Sequence, residues 1–115
     1  MVDAEGASRK VVFWHRELPP TDAEMVSEHV VEASSGRVAG SLARGAAAWD
    51  RCYEDLMANA IERLVQEVER LNGDYARVTD ESTEAKHDGA KDESWLHGTF
   101  KFVLYRSQRS GTAHA

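Results

Sequence analysis

Five histidines and one cysteine are the side chains of this chain that could ligate a soft metal or act as base or nucleophile near neutral pH. They are His15, His29, Cys52, His87, His97 and His114. No HxH, HxxxH, CxxC or HExxH spacing occurs among them, so no metal is specified locally. His15, His29 and His97 fall in strand-like segments, where a sheet can bring two together, although a hydrogen-bonded surface position is the commoner fate. Cys52 lies on a helical stripe beside Trp49 and Leu56, and core packing outweighs an activated thiol there. No GxSxG elbow, phosphate loop or GxGxxG is present. The carboxylate pairs Glu54-Asp55, Glu67/Glu69, Asp80-Glu81 and Asp92-Glu93 read as solvated faces rather than as acid–base pairs. Trp14 and Trp95 are the more suggestive residues. On paired strands they would face one another and could stack on a planar ligand, with core or interface packing the more frequent alternative.

The elements that must hold these residues are readable from pattern. Val11-Val12-Phe13-Trp14 predicts a strand over about 10–17, stopped by Pro19-Pro20. Met25–Ala33 predicts a second strand and Ser34-Ser35-Gly36 a turn. The stretch 38–48 is rich in Gly and Ala and reads as a loop or a short extra helix. Trp49–Asn72 predicts a long amphipathic helix, with Tyr53, Met57, Ala60, Ile61, Leu64, Val68 and Leu71 on its apolar face and Leu56 and Val65 widening it. Asp50 and Arg70 suit its two dipole ends, and Gly73 suits the left-handed cap. Tyr75–Thr79 and Trp95–Arg106 predict two more strands. In the last, Leu96, Phe100, Phe102 and Leu104 share one face, and Trp95, His97, Thr99, Lys101, Val103 and Tyr105 the other. Between them, Asp80–Ser94 predicts a solvated, mobile connection with strand extensions at its ends. The sum is an α+β fold of order β-β-α-β-β: an antiparallel sheet with one long amphipathic helix packed on it.

Composition bounds the function. Of 115 residues, 42% are hydrophobic and 30% charged, the mix of a globular chain. The expected organisation is a single domain over 10–106 with flexible tails at 1–9 and 107–115. Lys and Arg number 14 against 20 Asp and Glu, a net charge of -6, which argues against nucleic acid as a partner. No apolar run approaches the ~20 residues of a membrane span. Met1–Lys10 lacks the apolar core of a secretory signal, so a cytoplasmic location is expected. A lone cysteine excludes an internal disulfide.

Several phrases of the sequence resemble the bacterial YbjQ family over roughly residues 11–106. Phe13 through Pro19-Pro20 to Met25-Val26-Ser27-Glu28 is similar to its N-terminal hairpin, and Val30–Gly36 to its second strand and turn. Tyr53-Glu54, Leu71–Val78 and Gly98-Thr99 resemble its helix opening, helix close and last strand. The resemblance implies a β-β-α-β-β unit in a ring-like homo-oligomer, often pentameric, in a family labelled heavy-metal-binding. A shorter resemblance, over 53–106, is to the flavin-storing dodecins. There Tyr75 takes the place of the flavin-stacking tryptophan and His97 that of the flavin-contacting glutamine.

These readings converge on a small cytoplasmic, non-enzymatic module that self-associates and binds a ligand or partner. Trp14, His29, Tyr75, Trp95 and His97 are the candidate ligand-binding residues, with metal and cofactor unspecified. The alternative is a small enzyme, or a metal- or flavin-binding protein, with its site at a subunit interface. In the enzyme form His15, His29 or His97 serves as acid or base, and those histidines would cluster with a carboxylate in a cleft. Dispersed histidines favour the module.

Overall fold

The computed structural model describes residues 11–40 and 46–107. The elements follow in the order β1 (Val12–Trp14), β2 (Ala23–Ser34), β3 (Val38–Ala39), α1 (Ala46–Arg70), β4 (Tyr75–Asp88) and β5 (Glu93–Ser107). The sheet runs β1-β4-β5-β2, with β3 pairing β5. The α+β class is as expected, with one helix packed on the sheet. The sheet is mixed rather than antiparallel, however, and a third short strand precedes the helix.

The mixed character comes from β1. It lies parallel to β4, with Val12, Phe13 and Trp14 opposite Ala76, Arg77 and Val78. No hairpin turn joins β1 to β2. Instead β1 stops after three residues, where His15 takes a left-handed conformation with φ 45° and Glu17 N–H closes a turn on Trp14 O at 2.8 Å. The strand therefore ends before the diproline, not at it. The link that follows is tied down by Arg77, which donates to His15 O at 2.8 Å and to Glu17 O at 3.1 Å. Local pattern marks a strand but does not say which neighbour it pairs with or in which direction.

The Asp80–Ser94 connection is also corrected. β4 continues to Asp88 and β5 begins at Glu93, leaving a four-residue turn in which Asp88 Oδ1 caps Ala90 N–H at 3.0 Å. This half of β4 is mostly exposed, so it carries no apolar alternation to betray it. Its order comes from the backbone ladder with β5. In the 38–48 stretch, β3 pairs antiparallel with β5, Val38 opposite Ser94 and Ala39 opposite Glu93. Residues 41–45 of that stretch, the N-terminal tail, and the C-terminal tail beyond Ser107 lie outside the described residues.

Helix α1 starts three residues earlier than its pattern suggests, so Asp50 is not in its first turn, which holds no acid. Its C-terminus is a Schellman cap: Gly73 N–H bonds Val68 O at 2.9 Å and Asn72 N–H bonds Glu69 O at 3.1 Å. Asn72, with φ 59°, takes the left-handed position expected of Gly73. Gly73 is needed for closeness instead, because a Cβ there would lie 2.8 Å from Leu104 Cγ. Arg70 does lie in the last turn, paired with Glu67 at 2.7 Å.

The buried stripe of α1 is Cys52, Leu56, Ala60, Leu64 and Val68, a strict i+4 row. Such an i+4 row slants relative to the helix axis. The neighbouring row, Tyr53, Met57, Ile61 and Val65, is left partly or largely exposed. Contacts divide the chain into two compact units. The first, residues 11–29, 64–80 and 101–107 of the described chain, buries Val12, Leu64, Val68, Ala76, Val78, Phe102, Val103 and Leu104. The second, residues 30–40, 46–63 and 81–100 of the described chain, buries Val31, Ala33, Cys52, Leu56, Ala60, Leu96 and Phe100.

Candidate functional site

Alternation along a strand places Glu32 and Ser34 of β2 on one face, opposite the buried Val31 and Ala33. His97 of β5 alternates in the same way between buried Leu96 and Gly98. The pairing of β2 with β5 brings these three together. Ser34 Oγ lies 2.9 Å from His97 Nδ1, and Glu32 Oε1 lies 3.0 Å from His97 Nε2. The imidazole is 27% exposed and the Glu32 side chain 64%. An ionised carboxylate can only accept. Glu32 Oε1 therefore accepts a hydrogen bond from Nε2–H, and in that tautomer Nδ1 is left to accept from the Ser34 hydroxyl.

The backbone around Ser34 is fixed from both sides. Asn59 of α1 donates to Ser34 O at 2.8 Å. Ser35, buried, donates its N–H to Leu96 O at 2.8 Å and accepts Leu96 N–H on its hydroxyl at 2.9 Å. Gly98 is required beside this register, since a Cβ there would lie 2.8 Å from the Phe100 ring.

The other predicted residues have separate surroundings. Trp95 is half-buried under Arg37, whose guanidinium carbon lies 3.9 Å from the indole centroid. Arg37 is also paired with Glu93 at 3.5 Å. His29 packs its ring on Phe102, centroids 5.5 Å apart, and lies 2.7 Å from Ser27 Oγ. Tyr75 meets Phe13 edge-on at 5.8 Å. Trp14 donates its backbone N–H to Glu17 Oε1 at 2.8 Å, and its ring is tilted against His15 at 6.4 Å. Trp14 and Trp95 are not on paired strands, because β1 borders β4 and not β5. His15, His29 and His97 thus each have a different set of neighbours.

A cavity of about 440 Å³ lies between the β2–β3 turn and the first turns of α1, lined by Arg37, Val38, Ala48, Arg51, Cys52 and Asp55. Asp55 accepts Gly36 N–H there. Cys52 is buried at this cavity. Among the described residues, no group of three or more His, Cys, Asp or Glu is placed to hold a metal. Nor is any helix among them long and apolar enough to cross a membrane.

Sequence reasoning singled out His97 but missed Ser34, Glu32 and Arg37. The two-residue spacing of Glu32 and Ser34 on a strand was the available signal. What pattern could not supply was the register that sets them against His97. No family model, no curated protein and no solved structure matches the chain.

Proposed function

We propose that the protein is a small binding module that works as a homo-oligomer, with a second copy of itself on the β2 edge of the sheet. One observation carries this reading. Among the described residues β2 has a sheet neighbour, β5, on one side only, and it exposes Met25 (62%), Val26 (42%) and Val30 (54%). A twelve-residue strand with a free edge and uncovered apolar side chains is a template for another strand. A two-fold axis makes β2 its own partner, antiparallel and self-complementary. Glutamates select the register. A two-fold at Glu28 would set Glu28 against Glu28 and Glu24 against Glu32, which is unfavourable. A shift of one residue either way puts Val26 and Val30 opposite glutamates instead. The YbjQ-like resemblance implies self-association too. The dispersed histidines fit a module better than an interface acid–base site.

Light scattering on the chromatographed protein tests the reading. The wild type is expected to elute as an oligomer, and Val30→Lys to shift it toward monomer with its circular dichroism unchanged. An oligomer indifferent to Val30→Lys would remove β2 as the contact.

A further inference from the structure

Three serine–histidine pairs occur among the described residues, and they differ in one chemically decisive way. Ser94 is buried and donates its hydroxyl to Gly40 O at 2.8 Å, so it can only accept from His87 Nδ1, 2.8 Å away. Its histidine lies 3.7 Å from Asp92, beyond hydrogen-bond range. Ser27 lies beside His29, whose ring packs on Phe102 rather than reaching a carboxylate. Only at Ser34 is the hydroxyl free to donate into a ring whose far nitrogen is held by a carboxylate at 3.0 Å.

We propose that Ser34 is a nucleophile toward small activated esters, with His97 as its general base and Glu32 as the residue that sets the tautomer. The logic is that of an acid–base–nucleophile chain, with the two ring nitrogens exchanged relative to the serine-hydrolase template. On β4, Glu84 is ion-paired with Lys86 at 2.9 Å. In the step, the Ser34 O–H bond breaks and its proton passes to His97 Nδ1. Oγ bonds to the acyl carbon, and the aryloxide leaves with the electron pair of the broken C–O bond. The half-buried hydroxyl is on the sheet face away from the buried side chains, and its backbone is held by Asn59 and Ser35, so the nucleophile is pre-positioned.

The test is acetylation of the full chain by p-nitrophenyl acetate, followed by nitrophenolate release, intact mass and peptide mapping. One acetyl group on Ser34 is expected, absent in Ser34→Ala. His97→Gln should slow it by about 100-fold or more, the range of general-base assistance. Glu32→Gln, an isosteric change at an exposed position, should slow it by a smaller factor. The wild-type rate should be lower at acid pH than at neutral pH, and the His97→Gln rate should not differ between them. Circular dichroism of each variant checks that the fold is kept. Should His97→Gln unfold, Glu32→Gln and the wild-type pH profile decide alone. Acetyl groups found only on other residues, or a Ser34 rate indifferent to Glu32→Gln and to pH, overturn the proposal.

Discussion

Individual residues in this chain are constrained by closeness and by charge, and both give measurable consequences. Gly73 faces Leu104, which is fully buried, and a Cβ would lie 2.8 Å from its Cγ. Gly73→Ala should therefore destabilise by about 1–3 kcal/mol, as overpacking does, with urea denaturation as the measurement. Tyr53 provides a pH handle. Burial, then the Glu81 charge, then a hydrogen bond to Glu81 raise its phenol above the ordinary value of 10.0. The unfolded chain thus ionises Tyr53 first. Its contribution is intact below the ordinary value and is lost as pH rises from there through the raised value of the folded chain. Stability measured across about pH 9 to 11 should fall less steeply in Tyr53→Phe than in the wild type. Equal slopes would show that the folded chain does not hold the Tyr53 phenol above its ordinary value.

Elements are where pattern was most and least informative. Leu64 and Phe102 lie on faces that alternation and helical spacing both identify, and both are fully buried. Leu64→Ala should cost about 2–5 kcal/mol and Phe102→Ala about 3–5. Ile61, placed on the same face by spacing, is 41% exposed, so Ile61→Ala should cost distinctly less than Leu64→Ala. The difference between them is one of tilt. Steps of three and four define a face along the axis, whereas the residues actually buried follow the slanting i+4 row. The distal half of β4 was illegible for another reason. Its side chains are charged or small and mostly exposed, and its order rests on backbone hydrogen bonds that leave no mark on composition. Hydrogen exchange should therefore find protected amides within residues 80–88. Exchange at the rate of an unstructured chain would restore the mobile connection that composition suggests.

At the scale of the whole molecule, the α+β class was legible because one long helix and four strand patterns are local signals. The pairing was not. The parallel β1–β4 contact and the β2–β5 register join residues more than 60 positions apart, as in Val12 with Ala76 and Ser34 with His97. The same long-range register assembles Ser34, His97 and Glu32, so the site was hidden for the reason the topology was. The partner is the other property of this scale. Met25, Val26 and Val30 are uncovered on a strand that, among the described residues, has a sheet neighbour on one side only, and we propose a second copy as the neighbour on the other side. Sedimentation equilibrium of the full chain at micromolar concentration tests this most directly. The account predicts a mass at least twice 12.8 kDa, falling toward 12.8 kDa in Val30→Lys. A wild-type mass of 12.8 kDa across the concentration range would contradict it.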